Sequence, residues 1–384
     1  MKRQPKVIVI VLNWNSWQDT IECLESVLRN SYMNYHLIVI DNGSSDKSMD
    51  YIKAWAKAKL DVWTKPDNPL RNLSYPPIYK PIPYVCYTKK EAENGGNPEE
   101  EKGLEKTVKN NNTVTTQFPL IFVQIGNNLG FTGGNNVGIR YALSRGFDYV
   151  FVLNNDTVLT NSALGKMVDA ALENPEVGMV APVVFDYYHP NAIDRLGIVL
   201  TKSGLGYNRK GRRDGPLLCP SGCAGLYSQE MLSATALNGE YFDEDFFMYC
   251  EDTDLGIRAH LKGFKAALAE KATIFHKVGV VSGGPSSVSC AYFLHRNTIW
   301  TIVKSFPFKI LVKNFLWILL GQLGGCIKNI GRTHFRHVIK GKMSGIRGIK
   351  KMIRKRFVDT QCHFPIDKRP FLLRHRYMRS IKKD

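Results

Sequence analysis

The stretch YVFVLNND, residues 149–156, decides how the fold is interpreted. Five apolar residues run directly into the polar triplet Asn154-Asn155-Asp156. A short, continuous apolar run of this kind is typical of a strand that is buried on both faces of a parallel sheet. The polar triplet then falls at the carboxyl end of the strand, which is where open α/β sheets bind their ligands.

Three other apolar runs alternate with segments of helical periodicity. The predicted strands are Val7–Leu12, His36–Ile40 and Leu120–Ile125, and the predicted helices are 16–28, 49–58, 136–145 and 162–173. Strands that alternate with helices pair in parallel, because each crossover returns the chain to the same edge of the sheet. The sequence therefore predicts a doubly wound, mostly parallel α/β sheet with helices on both faces.

Polar residues follow the predicted strands at one rim of this sheet. They include Asn13, Asp41 and the triplet that ends at Asp156. A carboxylate at a strand end is well placed to hold a hard divalent cation, and Mg²⁺ or Mn²⁺ would bridge Asp156 to a diphosphate. An Asx turn or a helix N-cap explains the same residues equally well, so both interpretations stay open.

A glycine-rich stretch, residues 130–138, follows the third predicted strand and opens a helix. Glycines at this place would let a nucleotide approach the backbone closely. The spacing is not G-x-G-x-x-G, and the stretch has no Walker lysine. A dinucleotide dehydrogenase and a P-loop NTPase are therefore disfavoured.

Six carboxylates lie among aromatic residues between Phe242 and Asp254, just before a predicted helix over 255–261. Like charges at close range raise some pKa values, which is useful in a general base. The alternative is that the last carboxylates only complement the positive end of the helix. His276 ends another apolar run, where a lone histidine is more often structural than a metal ligand.

The net charge of +18 divides the chain of 384 residues into two parts. Residues 304–384 hold 21 Lys+Arg and 3 Asp+Glu, whereas residues 1–303 hold 31 of each sign. We therefore predict a charge-balanced body over 1–303 and a basic appendage over 304–384. Residues 66–118, which are rich in proline, glycine and acidic residues, are predicted to be an insertion in the body that forms a surface excursion or a lid.

The basic appendage carries apolar residues as well as charge. Asn314–Ile327 is uncharged but only 14 residues long, so no uncharged apolar run reaches the length of a membrane span. Ile346, Ile349, Met352, Ile353 and Phe357 recur at helical spacing among lysines and arginines, which is typical of a basic amphipathic helix on an anionic membrane. A helix that packs on the body is the alternative, and nucleic-acid binding lacks any recognised module. The six apolar residues near the N-terminus are too few for a signal peptide, so we expect a cytoplasmic protein.

These segments together resemble the family 2 glycosyltransferases of the GT-A fold, and most closely their rhamnosyltransferase-like branch. The resemblance covers about residues 6–300 and is carried by five motifs in the expected order. They are Val11-Leu12-Asn13-Trp14-Asn15, Val39-Ile40-Asp41-Asn42-Gly43-Ser44-Ser45-Asp46, Asn128-Leu129-Gly130-Phe131 with Gly133-Gly134-Asn135-Asn136, Leu153-Asn154-Asn155-Asp156, and Glu251-Asp252-Thr253-Asp254-Leu255 with Arg258.

The resemblance implies a role for each matching residue. Asp252 would be the general base, and Asp156 would bind a Mg²⁺ or Mn²⁺ ion together with His276. The implied donor-binding residues are Asn13, Asp41, Gly130, Gly133, Asn135, Asn154 and Asn155. The implied acceptor-binding residues are Gly222, Cys223, Ala224 and Glu251. Only the last carboxylate of the usual D-x-D motif is present, and Asn135 stands where many relatives have arginine.

The reaction implied by the resemblance is an inverting, metal-dependent sugar transfer. The donor would be a dTDP- or UDP-sugar, with rhamnose among the candidates, and the acceptor would be a glycan or a lipid-linked sugar in cell-surface polysaccharide synthesis. The enzyme would then lie on the inner face of the cell membrane, bound to its anionic surface and not to nucleic acid. A sugar nucleotidyltransferase and a non-catalytic basic protein that binds membrane or nucleic acid are the alternatives.

Overall fold

The fold is described from a computed structural model over residues 4–62, 64–110, 113–278, 287–356 and 365–367. Its strands are Val7–Asn13 (β1), Tyr35–Asp41 (β2), Tyr84–Thr88 (β3), Lys106–Asn110 (β4), Thr113–Gln117 (β5), Leu120–Gln124 (β6), Tyr149–Asn154 (β7), Thr157–Leu159 (β8), Val177–Asp186 (β9), Ile193–Arg195 (β10), Ile198–Leu200 (β11), Gly206–Asn208 (β12), Ala224–Ser228 (β13) and Lys265–His276 (β14).

The helices, in chain order, lie mostly between these strands and then follow the last one. They are Trp17–Val27 (α1), Ser48–Ala56 (α2), Lys89–Glu93 (α3), Pro98–Gly103 (α4), Gly130–Ser144 (α5), Ala163–Leu172 (α6), Gln229–Thr235 (α7), Glu251–Leu261 (α8), Val288–Ser305 (α9), Phe308–Ile327 (α10), Phe335–Arg347 (α11) and Ile349–Arg354 (α12).

Most strands join one mixed sheet in the order β3-β6-β2-β1-β7-β13-β9-β14-β8, with β10 paired to β9. The first five strands in this order are mutually parallel, as the sequence predicts. Apolar residues of β1 alternate between two buried clusters, because successive side chains of a strand point to opposite faces. The predicted doubly wound α/β sheet is confirmed.

The topology reverses at β1, which has β2 on one side and β7 on the other. At such a switch point the connections leave in opposite directions and open a crevice beyond the carboxyl ends of the strands. Asn13 ends β1 and Asn154 ends β7, so the polar residues predicted for the rim lie on the two sides of this crevice.

Residues 66–118 do more than form the predicted surface excursion. Within them β3 adds a parallel edge strand to the sheet beside β6. Glu101 of α4 is almost fully buried and accepts hydrogen bonds from the hydroxyls of Tyr87 and Tyr141. The insertion is therefore tied to the main sheet, and its β4–β5 hairpin is a separate two-stranded sheet.

The basic appendage also differs from its prediction. Helix α9 crosses the predicted boundary at 303/304, and the side chain of Lys304 is fully buried. The predicted amphipathic helix is split at Gly348 into α11 and α12. Met352, expected on a membrane-facing stripe, is instead buried against Phe246 and Trp300, and Phe357 lies outside the described residues.

Helix α10 is longer than its uncharged core suggests. It includes Lys309 and Lys313 and has 20 residues, which by length and composition suffices to cross a membrane. The uncharged run has 14 residues, as predicted, but the helix reaches spanning length because it continues through the two lysines. Only 11% of its most apolar 18-residue window is buried.

Candidate active site

A cleft of about 480 Å³ opens at the switch point of the sheet. The ends of β1 and β7, the start of α5, strand β10, the start of α8 and the first half of α9 all contribute to its walls. A second depression of about 460 Å³ lies near Asp148 and Glu230 at the opposite edge of the sheet. It is more open and contains none of the predicted site residues, so the chemistry belongs to the first cleft.

Asn13 organises the strand ends from behind the cleft wall. Its side chain is fully buried, donates a 3.0 Å hydrogen bond to Asp41 and accepts one of 2.8 Å from the Thr20 hydroxyl. Asn155 donates in turn to the Thr20 hydroxyl at 2.9 Å. Neither Asn13 nor Asp41 is among the residues that line the cleft, so the donor contacts implied for both stay predictions.

Trp14 and Asn42 line this part of the cleft wall. Asn42 accepts a hydrogen bond from the backbone of Leu129 and donates to the backbone of Gly130, so it links the end of β2 to the start of α5. Both residues belong to the motifs quoted from the sequence. Spacing alone does not show which of two adjacent residues in a turn faces the cleft.

The glycine-rich stretch is the first half of helix α5 and not a loop around a phosphate. A Cβ atom on Gly134 would lie 2.5 Å from Leu12, and one on Gly138 would lie 2.8 Å from Ile10. These glycines let the helix pack tightly on β1. Gly130 lines the cleft as predicted, whereas Gly133 and Asn135 are buried away from it, and the Asn135 amide bonds to the backbone of Phe131.

Asp156 and His276 meet although 120 positions separate them in the sequence. Strand β14 pairs with β8 in a register that sets His276 opposite Thr157, and this brings His276 Nε2 within 3.3 Å of Asp156 Oδ1. Asn154 and Asn155 line the same part of the cleft. The two residues predicted to bind a metal ion therefore lie side by side.

The donor set fits a divalent cation that also binds a diphosphate. Asp156 Oδ1 is buried and faces His276 Nε2 at 3.3 Å without a well-aligned hydrogen bond, so lone pairs of this desolvated anionic oxygen stay available to an ion. Its distance from His276 Nε2 is close to the roughly 3 Å between adjacent ligands of an octahedral ion. No cluster of three or more such ligands occurs in the described part of the chain, so substrate oxygens would complete the coordination.

Asp194 and Arg195, on the short strand β10, were not anticipated from the sequence. Asp194 Oδ2 lies 3.1 Å from His276 Nδ1 and accepts a 2.7 Å hydrogen bond from Arg195 Nε. Burial lowers the pKa of His276, but its contacts with Asp156 and Asp194 outweigh this and raise the pKa to about 10. A three-residue strand gives no periodic signal, and only its pairing with β9 places Arg195 at the cleft and Asp194 against His276.

Asp252 lies at the start of α8, on the cleft surface. One carboxylate oxygen accepts a 3.0 Å hydrogen bond from the backbone of Gly222, and the other accepts from the backbone and hydroxyl of Thr253. Burial raises the pKa of Asp252, although these hydrogen bonds and the Arg195 cation oppose the rise. The carboxylate is therefore held in a fixed orientation with a pKa above the usual range of aspartate.

Glu251 is the immediate neighbour of Asp252 and is buried more deeply. Burial and the adjacent Asp252 carboxylate raise the pKa of Glu251 well above its usual value, and its Oε2 atom has no hydrogen-bond partner. Two neighbouring carboxyl groups in a desolvated place do not both ionise readily, so one proton stays on the pair.

The loop before α8 is held in a strained conformation. Phe247, Tyr249 and Cys250 all have positive φ angles, between 63° and 68°, which residues with side chains seldom adopt. The buried amide of Asn297 in α9 donates to three backbone carbonyls of this loop, at 2.8 to 2.9 Å. This amide fixes the loop that carries Asp252, and nothing in the sequence around Asn297 announces that role.

The predicted acceptor segment is confirmed only in part as a lining of the cleft. Gly222 and Cys223 line it next to Asp252, whereas Ala224 is fully buried and pairs with Leu153 in the sheet. A Cβ atom on Gly222 would lie 3.2 Å from the Glu251 carboxylate, so the small residue keeps the floor open. Apolar side chains, among them Phe247 and Phe293, form the wall beyond it.

Replacing Arg195 by glutamine is expected to shift the acid limb of the pH–rate profile to higher pH. The Arg195 guanidinium favours the carboxylate form of Asp252, so its removal raises the pKa of Asp252 further, and this predicted base is then protonated at a higher pH. The pH dependence of kcat/KM measures this shift. Lysine at the same position keeps the charge and should restore most of the wild-type profile, and an unchanged glutamine profile would contradict the assignment.

The first comparison matches the sequence to a known protein family. The sequence profile described as "Glycosyl transferase family 2" matches residues 8–68 and 105–235, which together make up half of the chain. The matched residues include Asp41, Asp156 and Arg195 and stop before Asp252 and His276. The unmatched gap falls within the predicted insertion.

The curated relatives match over a short segment only. An uncharacterised protein of Mycobacterium tuberculosis, Rv1525, is 37% identical over 68 residues, and a Mycobacterium bovis counterpart gives the same values. The aligned segment is 18% of this chain and 25% of those proteins. This chain therefore matches only a quarter of the length of these curated relatives.

Several solved structures are similar to this chain at low sequence identity. GalNAc-T7, solved with UDP, GalNAc and Mn²⁺, has a TM-score of 0.53 and 11% identity, covering 91% of this chain and 57% of that one. The mannosyltransferase PcManGT of Pyrobaculum calidifontis gives a TM-score of 0.47 with 14% identity over 92% and 84%, and S. aureus TarS gives 0.47 with 14% identity over 85% and 44%. The likeness to GalNAc-T7 confirms the predicted α/β fold of the GT-A type.

Proposed function

The chain belongs to glycosyl transferase family 2, and on this premise we propose that it transfers a sugar from a nucleoside diphosphate to an acceptor hydroxyl, with inversion at the anomeric carbon. One observation carries the proposal. The buried carboxylate of Asp156 beside His276 and the oriented carboxylate of Asp252 belong to different elements but line the same cleft. Diphosphate binding and deprotonation of a hydroxyl thus have separate groups within one site.

Asp156 and His276 are the residues that would hold the cation, and His276 would bind it through Nε2 in its deprotonated form, with Nδ1 oriented by Asp194. A bound Mg²⁺ or Mn²⁺ supplies charge stabilisation for the departing diphosphate. Such an ion needs few protein ligands, because phosphate oxygens of the donor would complete its coordination shell.

Asp252 is the general base of the proposed reaction. Its carboxylate takes the proton of the acceptor hydroxyl as that oxygen bonds to the anomeric carbon, while the bond from the anomeric carbon to the diphosphate oxygen breaks. Attack from the face opposite the leaving group inverts the configuration. The hydrogen bonds from Gly222 and Thr253 fix the carboxylate before substrate binds, so little reorganisation is needed in the reaction.

For the substrates we propose a dTDP- or UDP-sugar as donor, with dTDP-rhamnose first among the candidates, and a glycan or lipid-linked sugar as acceptor in cell-surface polysaccharide synthesis. The sequence motifs support this choice through their likeness to the rhamnosyltransferase-like branch. The apolar wall beyond Asp252 supports an acceptor with an apolar portion. We place the reaction at the cytoplasmic face of the cell membrane.

The test is a calorimetric titration of UDP, dTDP and GDP, each with and without Mn²⁺, into wild-type protein and Asp156→Ala. We expect one nucleoside diphosphate to bind in a cation-dependent manner, and Asp156→Ala to weaken that binding by at least ~10-fold, since even outer-sphere changes at metal sites cost this much. Asp169→Ala, at an exposed position on α6, is the matched control and should bind like wild type. Equal binding by the Asp156 variant would contradict the proposal.

A further inference from the structure

One side of helix α10 is apolar and uncovered. Six apolar side chains on it are between 40% and 67% exposed, namely Val312, Phe315, Leu316, Leu319, Leu320 and Leu323. At 3.6 residues per turn they fall within an arc of roughly 140°. A soluble protein seldom exposes a continuous apolar face of this size, so another apolar phase is expected to cover it.

The opposite side of α10 rests on the protein. Asn314 and Gly321 are buried, and Ile310, Leu311 and Ile318 pack against the core cluster that includes β1 and α8 residues. Lys342 of α11 also donates a hydrogen bond to Gln322. A helix that spans a bilayer alone is surrounded by lipid on all sides, whereas this helix has one side against the protein.

The surroundings of the exposed arc are uniformly basic. Residues 304–356 contain 14 Lys+Arg and no Asp or Glu. Lys309 and Lys313 lie on α10 itself, and Lys328 follows directly after it, all three exposed. Such a combination of an apolar face with basic flanks suits an anionic lipid surface, because acyl chains cover the face while the lysines reach the headgroups.

We propose that α10 lies in the plane of an anionic membrane surface, with its exposed arc in the acyl region and its other side on the catalytic domain. The helix therefore anchors the enzyme without crossing the bilayer. This moves the membrane contact from the segment that the sequence indicated, which is partly buried around Met352, to a helix about 30 Å long at 1.5 Å per residue.

The position of α10 relates the membrane to the site, and this step rests on the proposed function. Ser305 donates a 2.7 Å hydrogen bond to Asp254, which lies two residues beyond Asp252 on α8. Helix α10 begins three residues later, within about 11 Å of extended chain. A base so close to the interfacial helix suits an acceptor sugar that is held at the membrane surface by a lipid.

The test measures co-sedimentation of the full-length protein with vesicles of phosphatidylcholine alone or mixed with phosphatidylglycerol. We expect binding to the anionic vesicles. The variant Leu316→Ser, Leu319→Ser, Leu323→Ser should lower the partition coefficient by about 10²-fold, because three half-exposed leucines lose their burial in lipid. The variant Lys309→Gln, Lys313→Gln, Lys328→Gln should lower it by a similar factor on anionic vesicles only.

The matched control is Tyr79→Ser, Leu172→Ser, Tyr188→Ser, which removes three exposed apolar side chains elsewhere and should bind like wild type. Circular dichroism and thermal unfolding confirm that each variant is folded. Failure of the wild type to bind anionic vesicles would overturn the proposal. A dimer that the leucine variant dissociates would also overturn it, because a second copy would then cover the arc. Resistance to alkaline carbonate extraction would overturn it as well, because such resistance marks a spanning helix.

Vesicle binding needs no sugar transfer, so the two proposals fail separately. Transfer to a soluble acceptor without vesicle binding would overturn the membrane inference alone. Binding to anionic vesicles in a protein that binds no nucleoside diphosphate would overturn the proposed function alone.

Discussion

Replacing Asp252 by asparagine is expected to lower the rate of sugar transfer by ~10²- to 10⁴-fold, which is the usual contribution of a general base. Asparagine has nearly the same shape and can still accept a hydrogen bond from Gly222 or Thr253, but it cannot take the proton of the acceptor hydroxyl. Donor binding should change only a few-fold, because the predicted cation site at Asp156 and His276 is formed by other elements of the fold.

The measurement is the initial rate of transfer at saturating donor, together with donor affinity from a titration. Asp169→Asn, at an exposed position on α6, is the control and should transfer at the wild-type rate. A variant at Asp252 that transfers at the wild-type rate would show that another group takes the proton. Glu251 would then be the first residue to examine, since it is the adjacent carboxyl group in the cleft.

Replacing Lys304 by methionine is expected to lower the free energy of unfolding by ~3–5 kcal/mol, the cost of removing one partner from a buried ion pair. The Lys304 ammonium is fully buried and donates to Asp243 at 2.7 Å and to Asp254 at 2.8 Å. Methionine keeps the apolar volume but leaves both carboxylates with fewer partners. Arg258 and Lys355 still pair with them, which limits the loss.

The same change should alter how stability depends on pH. Burial alone would raise the pKa of Asp243, but the Lys304 and Lys355 cations outweigh it and hold the pKa at about 2. A carboxylate with a depressed folded-state pKa stabilises the protein above its unfolded pKa, and this stabilisation is lost as the pH falls toward the folded value. Between about pH 4 and pH 2 the variant should therefore lose less stability than wild type.

Urea unfolding at neutral and acidic pH measures both effects. Lys313→Met is the control because Lys313 is exposed on α10, and surface changes of this kind usually stay within about 0.5 kcal/mol. Equal unfolding free energies for Lys304→Met and wild type would mean that the buried network contributes nothing to stability.

Strand ends were the part of the site that the sequence predicted best. A buried parallel strand is a continuous apolar run, so its end is visible where the first polar residue appears, as at Asn13, Asp41 and Asn154. Which of these polar side chains faces the ligand depends on the pleat and on neighbouring strands. Asn13 consequently proved to be buried, while the adjacent Trp14 lines the cleft.

Residues from short or irregular segments could not be predicted in this way. Strand β10 has three residues and joins the sheet through an irregular register with β9, so no periodicity points to Asp194 or Arg195. The glycines of α5 show a different limit. Their place after a strand predicted close approach of a nucleotide to the backbone, but Gly134 and Gly138 serve the close packing of the helix on β1, and only their three-dimensional neighbours distinguish the two uses.

The most direct test of the central claim is the release of a nucleoside diphosphate from a panel of dTDP-, UDP- and GDP-sugars. The assay contains Mn²⁺ or Mg²⁺ and a lipid extract as the source of acceptor, and it compares wild-type protein with Asp252→Asn. A family 2 glycosyltransferase with the proposed site should release one nucleoside diphosphate in a cation-dependent reaction that the variant has lost. Equal release by the two proteins, or release of pyrophosphate from a nucleoside triphosphate, would contradict the account.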